Sequence, residues 1–118
     1  MSPHKMILIR EEGDTMVVCV GVYLNSLLGE EVEKVVRARL DDGGRRILLN
    51  FQGTRLVNSI GISFVIGVVE KVMEREGRMA FCEVSRINRD LFRVTGLEKY
   101  VRSFETEKEA LDYLAGNA

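Results

Sequence analysis

The sequence predicts an α/β protein, a single domain with a mixed, mostly parallel sheet of about five strands and about four helices. Three observations support this class. The chain has 118 residues, close to the commonest size of one domain. Short apolar runs alternate with longer segments whose apolar residues recur at helical spacing. No linker, repeat or low-complexity tract interrupts the pattern, so residues 1–118 are expected to form one domain with an ordered core over about 5–115.

The first half of the chain predicts three strands and one helix. Residues 6–10 followed by the turn at 11–14 favour a hairpin arm, and residues 16–22 form an apolar run typical of a strand buried on both faces. A helix is predicted after the capping residues Asn25 and Ser26, and residues 47–51 form the next buried strand. The apolar stripe of that helix consists of Leu28, Val32, Val35, Val36 and Leu40.

The second half continues the alternation. A helix is expected over residues 60–76 with Gly77 as its C-cap, followed by a strand over 79–84. A short third helix ends at Gly96, and its apolar positions are Ile87, Leu91 and Val94.

The end of the chain predicts one more strand and one more helix. The strand covers residues 101–104, and Thr106 with Glu109 forms a capping box that starts the last helix. That helix carries Ala110, Leu111 and Leu114, and residues 116–118 are expected to be a frayed end.

Composition argues against several partner classes. With 17 basic and 18 acidic residues the net charge is −1, whereas direct nucleic-acid binding needs a basic excess or stripe. The longest apolar run, residues 60–69, is shorter than the ~20 residues of a membrane-spanning helix. The first residues lack the apolar stretch of a signal peptide. Cys19 and Cys82 are expected to be buried free thiols in a reducing compartment. These features predict a soluble cytoplasmic protein.

The residues that catalysis usually needs are scarce. His4 is the only histidine and lies at the expected mobile N-terminus, so histidine-based acid–base chemistry or metal binding has little support. The sequence contains no phosphate-binding glycine loop and no nucleophile elbow. We therefore expect no enzyme activity, no metal and no cofactor.

The stretch most indicative of function is residues 56–62, where a buried strand leads into a helix. Ligands and partners of open α/β sheets commonly bind at this edge. Ser59 would lie near free backbone N–H groups at the positive helix end. One interpretation is that Asn58 or Ser59 simply caps the helix. The other is that Ser59 is phosphorylated, which would add a charge of about −1.5 to −2 without unfolding the domain.

The same helix carries an apolar surface beside Ser59. A helical wheel places one face toward the core, formed by Ile62, Val65, Ile66, Val69, Val72 and Met73. The opposite face carries Ile60, Phe64, Gly67 and Lys71. Ile60 and Phe64 would then form an apolar patch for a partner. Alternatively, another element or a second copy of the chain, as in a homodimer, covers them.

Two groups of arginines allow two interpretations. Arg86, Arg89 and Arg93 share one side of the third helix, and Arg45 and Arg46 precede a strand. Solvated surfaces explain both groups, and contact with an acidic partner or a phosphate is the alternative.

Several segments together resemble the STAS domain family, and within it the bacterial anti-sigma factor antagonists. The resemblance covers nearly the whole chain, and its strongest segments are residues 47–51, 57–62, 77–79, 92–97 and 104–111. The family's usual site is Asp-Ser-Ser-Gly at the same strand-to-helix junction. A Thr-Gly-Leu sequence followed by an acidic residue, here Glu98, is also typical.

The resemblance implies a switch. In this family the first serine of the motif, here Ser59, is phosphorylated by a partner that is both an anti-sigma factor and an ATP-dependent serine protein kinase. The unphosphorylated antagonist binds that partner and frees the sigma factor, and a PP2C-type phosphatase restores binding. The expected contact residues are Asn25, Asn58, Ile60, Gly61 and Phe64.

The chain departs from the family pattern at three positions. Asn58 replaces the aspartate before the serine, Ile60 replaces the second serine, and Asn25 stands where an acidic residue is common. Two other functions therefore stay open. One is a constitutive STAS subunit of a larger signalling or lipid-transport assembly, and the other is a small-ligand or nucleotide-binding domain.

Overall fold

The structure is a computed structural model that describes residues 7–116. Within these residues there are seven strands and four helices: β1 (Leu8–Glu12), β2 (Thr15–Cys19), β3 (Tyr23–Leu24), α1 (Ser26–Asp41), β4 (Arg46–Asn50), β5 (Leu56–Val57), α2 (Ser59–Glu74), β6 (Arg78–Cys82), α3 (Arg86–Val94), β7 (Arg102–Phe104) and α4 (Glu107–Leu114), with a 3-10 turn at Leu97–Lys99. His4, the predicted strand start at Met6, the lower limit of the expected core and the predicted frayed residues 117 and 118 lie outside the described part.

The main sheet has five strands in the order β1-β2-β4-β6-β7. Strand β1 is antiparallel to β2, and the other neighbours are parallel. The predicted class, a mixed and mostly parallel sheet with four helices, is confirmed. A second, two-stranded parallel sheet joins β3 to β5, and the sequence analysis did not predict it.

The two faces of the main sheet are covered unequally. Helices α1, α2 and α3 contribute to the large core on one face, where the rings of Phe51, Phe81 and Phe92 pack with centroids 5.3–5.5 Å apart. On the other face α4 buries Ala110 and Leu114 against the sheet. Among residues 7–116, no helix is long and apolar enough to cross a membrane.

Helix α3 buries a different side from its apolar stripe. The helix predicted from Ile87, Leu91 and Val94 is present, yet Ile87 is 73% and Val94 82% exposed. Asn88 and Phe92 are buried instead. The ring of Phe92 completes the aromatic cluster, and the Asn88 amide donates to the carbonyl oxygen of Thr54 at 3.3 Å. Tertiary packing therefore decides the rotation of this helix.

Helix α2 differs from its prediction in the burial of Met73 and in the residue at which the helix ends. Met73, expected in the core, is 52% exposed because no element of the described chain packs over it. The helix ends at Glu74 with Arg75 as C-cap, so the prediction of Gly77 as C-cap is wrong. Glu76 adopts the left-handed conformation, with φ 57°.

The two cysteines are free, as expected, but they differ in burial. Cys82 is buried at the end of β6, whereas Cys19 at the end of β2 is only half-buried. The expectation that both are buried is therefore wrong for Cys19.

Candidate functional site

The candidate site lies where two helices begin side by side. Strands β3 and β5 are parallel, with Tyr23 opposite Leu56 and Leu24 opposite Val57. Each strand is followed by one asparagine and then by a helix, α1 after β3 and α2 after β5. Because the strands are in register, the N-termini of α1 and α2 start next to each other.

The two asparagines cap these helices. The side-chain oxygen of Asn58 accepts a hydrogen bond from the Gly61 backbone N–H at 2.7 Å, and Asn25 accepts from Leu28 at 3.2 Å. The Asn58 amide also donates to the Tyr23 hydroxyl at 3.3 Å. Of the two capping alternatives, Asn58 is therefore the N-cap of α2, and Ser59 is the first residue of that helix.

Ser59 presents its side chain to solvent at the positive end of α2. The residue is exposed, and within residues 7–116 its hydroxyl forms no hydrogen bond. The first turn of α2 contains no acidic residue. Since Asn58 already satisfies the cap, a group attached to the Ser59 oxygen would not remove a hydrogen bond that the helix needs. The helix dipole favours a negative group at this place.

Gly61 is buried rather than available at the surface. A Cβ on Gly61 would lie 2.1 Å from the carbonyl oxygen of Leu24, a distance that no side chain tolerates. The expectation that Gly61 contributes to a contact surface is therefore corrected. Its role is to let the start of α2 lie directly on β3.

The predicted apolar patch divides into two parts. Ile60 is 53% exposed. Phe64 is half-buried and packs on α1, because a Cβ on Gly29 would lie 2.6 Å from its ring. Helix α1 is thus the element that covers Phe64, and the expectation that this ring opens to solvent beside Ile60 is wrong.

Other apolar side chains join Ile60 at the surface. Tyr23 is 42%, Leu27 58% and Leu56 51% exposed. Tyr23 and Leu56 are register partners, and Leu27 and Ile60 are the second residues of α1 and α2. We call these four residues the apolar rim. Sequence reasoning missed three of them because two-residue strands carry no periodic signal, although Leu27 was visible directly after the capping pair.

The arginine groups serve mainly local roles. Arg93 pairs with Asp90 at 2.9 Å, and Arg45 donates to the carbonyl oxygen of Leu40 at 3.0 Å, at the end of α1. Arg86 and Arg89 are exposed. Within the described chain, no group of three or more His, Cys, Asp or Glu residues is arranged to hold a metal ion.

Comparison with known proteins places these features in context. A family profile described as the STAS domain matches residues 6–110. The chain is 26% identical over 81 residues to BtrV of Bordetella bronchiseptica, provisionally named an anti-sigma factor antagonist, covering 69% of this chain and 70% of that protein. It is also 26% identical over 98 residues to the anti-sigma F factor antagonist of Paenibacillus polymyxa, covering 79% and 84%.

A solved structure shares the fold. The phosphorylated form of the Bacillus cell fate determinant SpoIIAA superposes with a TM-score of 0.75 at 22% identity, covering 92% of this chain and 98% of that one. At this identity the likeness establishes the common architecture of the two chains.

Proposed function

We propose, from the premise that this chain belongs to the STAS domain family and is anti-sigma factor antagonist-like, that it is a cytoplasmic, non-enzymatic switch controlled by phosphorylation of Ser59. In the unphosphorylated state it binds an anti-sigma factor that is also a serine protein kinase, and this binding frees a sigma factor. A PP2C-type phosphatase reverses the modification. Asn25, Asn58 and Ile60 lie at the contact surface.

The observation that carries this proposal is the position of Ser59. Its exposed side chain begins α2, while the neighbouring Asn58 supplies the cap. Transfer of the γ-phosphoryl group of ATP to the Ser59 oxygen releases ADP and the hydroxyl proton. The resulting phosphate faces the free N–H groups of the first helical turn, which favour an anion. The modification therefore leaves the fold intact and changes only the surface.

The apolar rim explains how this change would release a partner. A partner that covers Tyr23, Leu56 and Ile60 removes apolar area from water and also covers Ser59, which directly precedes Ile60 at the start of α2. A phosphate there adds about −1.5 to −2 charges, and burying these charges without a cationic counterpart is costly. We expect affinity to fall at least tenfold, or ~1.4 kcal/mol.

The uncharged side chains of Asn25 and Asn58 affect which partner this surface can bind. Asparagine and aspartate cap helices about equally well, so Asn25 and Asn58 keep both helices in place while the surface loses two negative charges relative to the family pattern. The matching partner surface should accordingly be less basic, since charge complementarity mainly governs specificity.

The experiment that tests this proposal is phosphorylation of the full chain. Wild type, Ser59→Ala and Ser26→Ala are incubated with Mg-ATP and a lysate of the source organism, and their intact masses are compared. Ser26 is a matched control because it is the exposed first residue of α1 after its own asparagine cap. One phosphoryl group on wild type and Ser26→Ala, absent from Ser59→Ala, supports the switch. No addition, in a lysate that phosphorylates a control substrate, favours the constitutive STAS subunit.

A further inference from the structure

An open groove lies between the second half of α2 and the turn that follows α3. Its cavity volume is about 630 Å³. Its lining includes Ile66, Glu70, Met73 and Glu74 of α2 and Tyr100 of that turn. The volume lies within the range of roughly 300–1,000 Å³ that is usual for binding pockets.

The floor of the groove is apolar and incompletely covered. Met73 is 52% and Tyr100 65% exposed, and Ile66 is half-buried. Met73 belongs to the apolar face of α2 by its spacing, yet the turn at residues 95–100 stops short of covering it. An apolar helix face left uncovered in this way is typical of a place where another chain packs.

The charged residues of the groove are both acidic. Glu70 and Glu74 are the only charged residues among those that line it, and they stand one helical turn apart on the same helix. Within residues 7–116 neither carboxylate forms an ion pair. Like charges at this spacing destabilise a helix, and the last turn of a helix disfavours carboxylates. A cation brought by a partner would offset this repulsion.

We propose that this groove binds a basic amphipathic helix of a protein partner. Aliphatic side chains of that helix would occupy the floor beside Met73 and Tyr100, and its lysine or arginine side chains would pair with Glu70 and Glu74. The groove follows α2 from Ile66 to Glu74, about 12 Å at the helical rise, which matches two turns of a docked helix. Along the axis of α2, Ser59 lies about 10 Å from Ile66 at the near end of the groove and about 22 Å from Glu74 at its far end.

The test uses uniformly ¹⁵N-labelled full-length chain and two synthetic helical peptides. One peptide has a leucine stripe flanked by lysines, and in the other every lysine is replaced by glutamate. Backbone amide shifts are followed during titration of wild type, of Glu70→Gln/Glu74→Gln, and of Glu30→Gln/Glu31→Gln. The last variant is a matched control because it removes two charges from the exposed side of α1.

The expected result is saturable binding of the leucine–lysine peptide, with shifts confined to amides that line the groove. Affinity should fall about fivefold in Glu70→Gln/Glu74→Gln and with added salt, but not in the control. Equal binding of both peptides, shifts at the apolar rim instead, or no saturable shifts would each overturn the proposal. Groove shifts that depend on protein concentration without peptide would identify a second copy as the occupant and would overturn it as well.

Discussion

Gly61 lies against the backbone of Leu24 so closely that a Cβ would be 2.1 Å from the Leu24 carbonyl oxygen and 2.7 Å from its carbonyl carbon. The same oxygen accepts a hydrogen bond from the Asn58 N–H at 3.1 Å. The start of α2 therefore rests on β3 through main-chain contacts on both sides of Ser59. The position of the candidate phosphorylation site depends on the absence of a side chain two residues later.

Replacing Gly61 by alanine should therefore destabilise the protein. The added methyl group forces α2 away from β3, and overpacking of this kind costs about 1–3 kcal/mol. Urea denaturation of Gly61→Ala measures the loss. Gly67→Ala is the matched control, because Gly67 is in the same helix with nothing within 4 Å of its Cβ position. The free energy of unfolding of Gly67→Ala should be unchanged or raised by up to ~1 kcal/mol. Equal stabilities of the two variants would contradict the close contact.

Asn58 should be replaceable by aspartate but not by alanine. The side-chain oxygen that accepts from Gly61 at 2.7 Å is retained in Asn58→Asp and lost in Asn58→Ala. We expect Asn58→Ala to lower the free energy of unfolding by about 1 kcal/mol, and Asn58→Asp to change it little. Thermal denaturation of both variants beside wild type provides the measurement. A loss in Asn58→Asp as large as in Asn58→Ala would assign the main contribution to the amide that donates to Tyr23.

The parts of the fold that the sequence predicts are those with local causes. Asn25 and the Thr106–Glu109 capping box start their helices where expected, because capping depends on a few neighbouring residues. The strands at residues 46–50 and 78–82 follow from apolar runs that both faces of the sheet bury. The place of Ser59 at a strand-to-helix junction could be predicted for the same reason, because it too depends on neighbouring residues.

The parts that the sequence did not predict depend on which elements meet. Phe64 looks solvent-facing on a helical wheel, but Gly29 on α1 leaves room for its ring. Met73 looks like a core residue, but no element of the described chain reaches it. Periodicity identifies an apolar face of a helix, and only the packing of neighbouring elements decides how much of that face is buried.

The end of α2 offers a stabilising substitution. Glu76 has φ 57°, and its N–H donates to the carbonyl oxygen of Met73 while Gly77 donates to that of Val72 at 2.8 Å. This is the Schellman arrangement, with glutamate at the position that usually holds glycine. We expect Glu76→Gly to raise the free energy of unfolding by up to ~1 kcal/mol, since a left-handed backbone strains a residue with a Cβ.

Gly77→Ala provides the contrast in the same urea denaturation series. A Cβ on Gly77 would lie 2.9 Å from the carbonyl oxygen of Arg45 and 3.0 Å from a methyl group of Val72, so this variant should lose stability. The glycine after α2 is therefore required by close approach, not by its backbone angle. Stabilisation by Gly77→Ala together with destabilisation by Glu76→Gly would reverse this assignment.

Cys82 should make the protein less stable in alkali. Its thiol is fully buried at the end of β6, and this burial, with smaller contributions from Glu107 and Glu83, raises its pKa from 9.0 to about 12. The half-buried Cys19 also has a raised pKa, mainly because of desolvation. A group whose pKa is higher in the folded state holds its proton longer there than in the unfolded chain. Its stabilising contribution is complete below pH 9 and is lost as pH rises from 9 toward 12.

The comparison of wild type with Cys82→Ala isolates this contribution from other groups that titrate in alkali. Urea denaturation at about pH 8 and about pH 11 gives the decrease in free energy of unfolding for each protein. At about pH 8, the free energy of unfolding of Cys82→Ala should be lower than that of wild type, because the substitution leaves a small cavity in the core. Between the two pH values, however, the free energy of unfolding should decrease less in Cys82→Ala than in wild type. Cys19→Ala should reduce the decrease less, since its thiol is partly hydrated and lies 3.9 Å from the Arg10 guanidinium. Parallel decreases in wild type and Cys82→Ala would mean that the buried thiol does not couple folding to pH.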